Sequence, residues 1–238
     1  MNTALADRTV RVWKQYLAAM PSILQPELAK NLHVYGFLPV DLTERCAAAI
    51  QGAPEADYDA KSFRSAWSPM APENKAKLLA SHAYKALDAR TAWALWDVLT
   101  YLAEPVAALV GAKWRLLNTR TWISRPGAAS GPYDWHTDGE PEGMFKIMVY
   151  WSALSDSAGG LEVDTGNSTS AALRGRAGLW VLFANSVLSH RALAPLTGER
   201  LATEFTLCPW PRMDIGPHTM GANVRHPIYP LVNAKDML

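Results

Sequence analysis

His136 and Asp138 stand two residues apart in Trp135-His136-Thr137-Asp138, a short polar interruption of sequence that otherwise reads as strand. Alternate side chains of a β-strand point to one face, so an imidazole and a carboxylate at i and i+2 address one point in space. His190, further along the chain, supplies a second imidazole. Two imidazoles and one carboxylate on one face of a metal leave about three coordination positions open, the arrangement suited to Fe(II) that must hold a bidentate ligand and O2 together. Zn(II) competes for the same donors as a tetrahedral ion with one open site. His-x-Asp alone does not choose between them. Taken singly, each residue also has an ordinary alternative: Asp138 as the cap of the Asp-Gly-Glu turn, and either histidine as a satisfied surface or core side chain.

The sequence after each ligand adds context. Ala158-Gly159-Gly160 precedes Leu161-Glu162-Val163-Asp164, and the apolar run Gly178-Leu179-Trp180-Val181-Leu182-Phe183 leads through Asn185 to His190. Arg200 opens the strand Leu201 to Leu207, ten residues after His190. A guanidinium offers two parallel N–H donors to a carboxylate and keeps its charge when partly buried. The alternative is a strand-edge Arg200 paired with Glu199 or Glu204. Lys146 is a second cation, set in the apolar run Phe145 to Val149; on a core-facing position it needs an anion, and on the other face it is solvated.

This order and spacing, over roughly residues 115 to 210, resembles the Fe(II)- and 2-oxoglutarate-dependent oxygenases, and Tyr-Asp-Trp-His-Thr-Asp with the later Gly-Gly turn is most similar to their phytanoyl-type, small-molecule branch. The resemblance implies a mainly β fold, a double-stranded β-helix packed against N-terminal helices. It implies Fe(II) on His136, Asp138 and His190, with 2-oxoglutarate and O2 as co-substrates and succinate and CO2 as products. Arg200 would grip the distal carboxylate of 2-oxoglutarate. Part of the family has Ser two positions after that Arg; here it is Ala202, and Thr203 should point to the opposite face, so a hydroxyl must come from elsewhere. Some members use a Lys on the strand of Lys146 instead, so Lys146 either shares that work or meets an acidic substrate. Asn118 is assigned to the co-substrate, and Arg120, Trp122, Tyr133, Trp135 and Glu140 to the substrate. Asp138 excludes the halogenating variant, which lacks the carboxylate. Two alternatives remain: a side-chain hydroxylase of proteins or peptides, and a non-catalytic jelly-roll module holding a structural metal.

The 238 residues, 49% hydrophobic and 19% charged, suit one packed domain. It divides into a helical N-terminal part (1–112), a β-helix core (113–210) and a C-terminal extension (211–238). A net charge of +1, without a basic run, argues against nucleic acid. Apolar stretches far short of ~18–20 residues argue against a membrane span, and the first residues carry no signal-peptide core, so a cytoplasmic protein is expected. Cys46 and Cys208 lie far apart in no metal or redox pattern and read as free thiols.

The elements that must position the site follow from periodicity. Residues 8 to 29 read as interrupted helix, Leu32 to Leu38 as a strand, and Asp41 or Thr43 as the cap of a short helix through Cys46 to Ile50. Residues 52 to 72, with Gly52, Pro54, Pro69 and Pro72, read as a long loop anchored by Trp67. Helix is expected from Pro72 to Ala112: Ala92, Leu95, Trp96, Leu99, Leu102, Val106 and Leu109 form a stripe that packs on the outside of a sheet, with Pro105 kinking or splitting it. Trp114 to Ser124 begins the β core and Met144 to Trp151 is its clearest strand.

Overall fold

In Phe145-Lys146-Ile147-Met148-Val149-Tyr150 every residue is buried although the side chains alternate in character. A strand of this kind must have packed structure on both faces. The computed structural model, which describes residues 34–57, 70–86, 88–110, 114–127, 130–138, 145–166 and 168–209, supplies those two faces.

In chain order the elements are β1 (Val34–Phe37), α1 (Val40–Gly52), β2 (Glu55–Asp57), α2 (Pro72–Ala80), β3 (His82–Lys85), α3 (Ala89–Val110), β4 (Trp114–Ser124), β5 (Phe145–Tyr150), β6 (Gly160–Gly166), β7 (Thr169–Ala172), β8 (Leu179–Phe183), β9 (His190–Leu193) and β10 (Arg200–Pro209). The strands form an antiparallel sheet of order β1-β8-β5-β10-β4-β3-β2 and a smaller one of order β7-β6-β9. The crossed strand order, with β10 between β5 and β4, is that of a double-stranded β-helix.

One face of the large sheet carries helices. Phe145, Ile147 and Val149 of β5, Leu182 of β8 and Phe205 of β10 share a core with Leu42, Cys46 and Ile50 of α1 and with Leu95, Leu99 and Leu102 of α3. The opposite face meets the small sheet: Met148, Tyr150, Val181 and Ala202 pack with Leu161 and Val163. Register fixes which residues share a level, with Ala202 beside both Trp122 and Tyr150, and Glu204 beside both Arg120 and Met148.

Several local expectations are corrected. The stretch 72–112 is not one helical region, because β3 intervenes and pairs with β4, Ala83 opposite Ile123 and Tyr84 opposite Trp122. Pro105 does not split α3, which runs unbroken from Ala89 to Val110; Leu102 and Val106, either side of it, are fully buried and hold the helix to the core. α1 starts at Val40 behind Pro39 with no side-chain cap; Asp41 sits in the first turn and pairs with Arg45 at 2.8 Å, while the Thr43 hydroxyl donates back to the Pro39 carbonyl. Part of the 52–72 loop is strand, since β2 pairs with β3. The N-terminal part is therefore mixed, giving β1, β2 and β3 to the large sheet.

Cys46 is a buried free thiol, pushed up to about 12 by burial and, secondarily, by the charge of Asp97. Among the described residues no helix is long and apolar enough to cross a membrane. The expected helix over 8–29, Trp67 and the extension 211–238 lie outside the described residues.

Leu99 is fully buried at the junction of α3 and the large sheet. Leu99→Ala should destabilise the protein by about 2–5 kcal/mol, the range for buried large-to-small changes. Denaturant unfolding followed by circular dichroism measures this, and a loss below about 1 kcal/mol would contradict the packing described.

Candidate functional site

His136 and His190 are 54 positions apart, yet they pair as an isolated antiparallel bridge: His136 N–H donates to the His190 carbonyl at 3.0 Å and His190 N–H to the His136 carbonyl at 2.9 Å. Asp138 N–H donates to the Asn185 carbonyl at 2.8 Å. These bonds add the His136 segment to the edge of the small sheet beside β9 and fix the height of all three side chains.

The imidazoles are oriented by their own backbones. His136 Nδ1 lies 2.7 Å from the Asp134 carbonyl and His190 Nδ1 lies 2.8 Å from the Leu188 carbonyl. A carbonyl only accepts, so each Nδ1 carries the proton and each Nε2 presents a lone pair. Such outer hydrogen bonds fix tautomer and ring direction in metal sites. His136 Nε2 is 3.9 Å from Asp138 Oδ1, His190 Nε2 is 3.7 Å from Asp138 Oδ2, and the three ligand atoms lie within 4.8 Å of one another. An ion about 2.1 Å from each donor sits between atoms up to about 4.2 Å apart, so both nitrogen–oxygen separations are within its reach. Burial lowers the His190 pKa, only partly offset by the Asp138 charge, which keeps the ring in its metal-binding neutral form.

The triad opens into a cavity of about 870 Å³, mouth included, between the two sheets. Its wall is built by strand alternation: Arg200, Ala202 and Glu204 from β10, Arg120 and Trp122 from β4, Lys146, Met148 and Tyr150 from β5, Phe183 from β8, and Leu161 from β6. Apolar groups line its waist and charged groups its ends.

At one end sits Arg200, 3% exposed. One of its terminal nitrogens donates to the Leu193 carbonyl, the other to the Ser124 hydroxyl at 3.3 Å, and its Nε–H is buried with no hydrogen-bond partner. A buried unsatisfied donor on a charged group is costly and fits a site for an anion. Neither alternative partner holds it, since Glu199 pairs with Arg125 at 2.7 Å and Glu204 with Arg120 and Lys146. Gly159 is essential to this geometry: it has φ +70°, and a Cβ there would lie 2.1 Å from the Leu193 oxygen and 2.8 Å from the Arg200 guanidinium.

Behind Arg200 lies a neutral polar cluster. His82 Nδ1 donates to the Leu78 carbonyl at 3.0 Å, so its Nε2 accepts from the Tyr133 hydroxyl at 3.1 Å, with Ser124 Oγ at 3.4 Å. Burial, with the Arg200 charge acting in the same sense, pushes His82 down to about 4 against the opposing Leu78 hydrogen bond. Tyr150 is pushed up to about 12 by burial.

At the triad end the charges alternate. Lys146 Nζ is 2.7 Å from Asp138 Oδ2 and 3.3 Å from Glu204 Oε2, and Glu204 Oε1 accepts from Arg120. Lys146 is 3% exposed, so it does not stand on a solvated face.

The structure therefore brings together His136, Asp138, His190, Arg200, Lys146, Arg120 and Trp122 around one cavity. Tyr133 is not at a rim; it is buried against Leu78 and bonded to His82. Trp135 is 42% exposed and stacks under the Arg191 guanidinium, 4.7 Å away, outside the cavity wall. Glu140 and the side chain of Asn118 lie outside the described residues. Thr203 faces the helices, bonded to Thr121 and to Trp151 Nε1 at 2.8 Å each, and the hydroxyl beside Arg200 is that of Ser124. Sequence reasoning missed His82, Tyr150 and Glu204 as members of the wall and Ser124 as a partner of Arg200. The i, i+2, i+4 alternation of Arg200, Ala202 and Glu204 was the available signal for Glu204.

No family model matches the chain, and no curated protein matches it. Solved structures do. The non-heme alpha-ketoglutarate-dependent epimerase SnoN from nogalamycin biosynthesis aligns with TM-score 0.56 at 13% identity, over 84% of this chain and 83% of that one. HygX from Streptomyces hygroscopicus, with nickel and 2-oxoglutarate bound, aligns with TM-score 0.54 at 15% identity, over 83% and 90%. A Pseudomonas putida prolyl-4-hydroxylase aligns with TM-score 0.52 at 20% identity, over 80% and 97%. At these identities the likeness establishes a shared fold.

His82 releases its proton near pH 4 when folded, against an ordinary value of 6.5. Between those values the unfolded chain binds the extra proton, so stability falls as pH drops through the window, by on the order of 3 kcal/mol in total from this residue. Unfolding free energies at pH 7 and pH 4.5 should differ by less in His82→Gln than in the unsubstituted protein; equal differences would show that His82 is not held neutral.

Proposed function

We propose that this protein is a non-haem Fe(II)- and 2-oxoglutarate-dependent dioxygenase that hydroxylates an unactivated C–H bond of a small molecule and releases succinate and CO2. The observation that carries the proposal is one cavity with the three-ligand cluster towards one end and the partly unsatisfied Arg200 guanidinium at the other. A structural metal site has no use for the second feature.

His136 and His190 would hold the ion through Nε2 and Asp138 through a carboxylate oxygen, and the outer hydrogen bonds of the two rings already aim those nitrogens. Arg200, whose buried Nε–H has no partner, would receive the distal carboxylate of 2-oxoglutarate, with the Ser124 hydroxyl alongside. Trp122, Met148, Leu161 and Phe183 exclude water from the space between. Loaded with Fe(II), 2-oxoglutarate and O2, the site supplies oxidative decarboxylation of the keto acid coupled to transfer of one oxygen atom to the substrate.

Support for a small-molecule substrate comes from the neighbours of like fold: SnoN belongs to nogalamycin biosynthesis, and HygX is also seen with hygromycin B bound. Composition adds that a polyanionic nucleic acid is disfavoured.

His136→Ala and Asp138→Ala should each abolish succinate formation from 2-oxoglutarate in the presence of Fe(II) and O2, measured by chromatography; full turnover in both would remove the metal assignment. Arg200→Ala should raise the KM for 2-oxoglutarate by about ten- to a hundredfold, the loss of a charge-assisted pair, with iron content unchanged. If Lys146→Ala produces that change and Arg200→Ala does not, the co-substrate lies the other way round in the cavity.

A further inference from the structure

Each candidate histidine ligand is flanked by a large side chain: Trp135 precedes His136 and Arg191 follows His190. Antiparallel pairing of His136 with His190 puts Trp135 opposite Arg191. His190 and Ala192 line the cavity, so the alternation of β9 sends Arg191 to the outer face of the small sheet. On β6 the same alternation gives Leu161 and Val163 to the core between the sheets. Glu162 then points to the outer face, directly opposite Arg191 in the register.

Across that outer face the contacts run from strand to strand. Ser170 Oγ donates to Glu162 Oε1 at 2.6 Å, and Arg191 Nε–H donates to Glu162 Oε2 at 2.6 Å. The Arg191 guanidinium carbon lies 4.7 Å from the centroid of the Trp135 ring. Burial raises the Glu162 pKa, but the Ser170 and Arg191 hydrogen bonds bring it below its ordinary value, so the carboxylate is ionised at neutral pH. Its side chain is 12% exposed, which screens the ion pair less than full solvation would. Trp is the best aromatic partner for a guanidinium, and partial desolvation strengthens the pairing. Four segments are linked in this way: β7, β6, β9 and the one that carries His136. A bridge of two main-chain hydrogen bonds is a short ladder, and side-chain pairs across neighbouring strands are what stabilise one.

We propose that Arg191, held by Glu162, clasps Trp135 on the outer face of the small sheet and keeps the His136–His190 bridge closed beneath it. On the reading above, on which the functional half of this inference rests, Arg191 and Trp135 are positioning residues for the metal ligands. They touch neither the ion nor the substrate and act through the height and direction of the two imidazoles. Trp135 then serves the site from outside the cavity.

The test follows the full chain without added metal by amide hydrogen exchange in NMR, which reads the closing of the bridge at the His136 and His190 N–H groups. Trp135→Ala and Arg191→Met should each speed exchange there by about two- to thirtyfold, the range from an exposed to a desolvated cation–π contact. The double variant should be little faster than either single one, because the two side chains act as a unit. Trp135→Phe, which keeps a ring, should fall between. Mn(II) affinity, measured by titration calorimetry, should drop by about threefold or more in Trp135→Ala and Arg191→Met. It should stay unchanged in Leu99→Ala, whose core loss is on the far side of the large sheet; this separates positioning from general loss of stability. Glu162→Gln, which alters neither the ring nor a ligand, should act in the same direction as Arg191→Met and carries the test if a larger change prevents folding. Unchanged exchange at both amides, unchanged Mn(II) affinity in the variants, or an equal loss in Leu99→Ala would each overturn the proposal. No Mn(II) uptake by the unsubstituted protein would instead refute the triad as a metal site and take the positioning role with it.

Discussion

Two backbone hydrogen bonds between His136 and His190 hold together everything that gives this fold a chemistry. That bridge, with the Asp138–Asn185 bond, ties the segment bearing His136 and Asp138 to the small sheet although it belongs to neither regular sheet. With it, two imidazoles and a carboxylate from distant parts of the chain stand at one height. The rings then need no help from the metal to find their direction, since the carbonyls of Asp134 and Leu188 take up the Nδ1 protons. Preorganisation of this kind lowers the ordering cost of binding an ion.

The same sheet that packs α1 and α3 on one face presents charged groups on the other. β5 and β10 are buried throughout their described side chains, and their alternation sends Phe145, Ile147, Val149 and Phe205 to the helices while Lys146, Arg200 and Glu204 enter the cavity. Burying these ions is tolerable because each is matched: Lys146 between two carboxylates, Glu204 between two cations, Arg200 by a carbonyl and a hydroxyl. The one buried donor of Arg200 left over is the feature that most directly asks for a ligand.

Much of this was legible in the residues, and the rest was not for definable reasons. Periodicity gives Trp114 to Ser124 as a strand with the bounds of β4 and the stripe Ala92, Leu95, Trp96, Leu99, Leu102, Val106 and Leu109 as a face packed on a sheet; the described members of that stripe lie in or against the core. The four residues of β3 were lost inside a helical reading, since so short a strand has no period of its own and exists because β4 offers it an edge. Register was equally hidden. That Glu204 meets Arg120 depends on how β10 slides against β4, with a bulge between Thr206 and Leu207, and no local pattern encodes that offset. Tyr133 was misplaced at a rim because its partner, His82, comes from the unforeseen strand.

If His136, Asp138 and His190 hold Fe(II), positions beside the ion are left for 2-oxoglutarate, and anaerobic addition of 2-oxoglutarate to the Fe(II)-loaded protein should change its visible absorbance. A weak metal-to-ligand charge-transfer band that saturates at one equivalent is the predicted result. A protein that binds iron yet develops no band and shows no affinity for 2-oxoglutarate would contradict it.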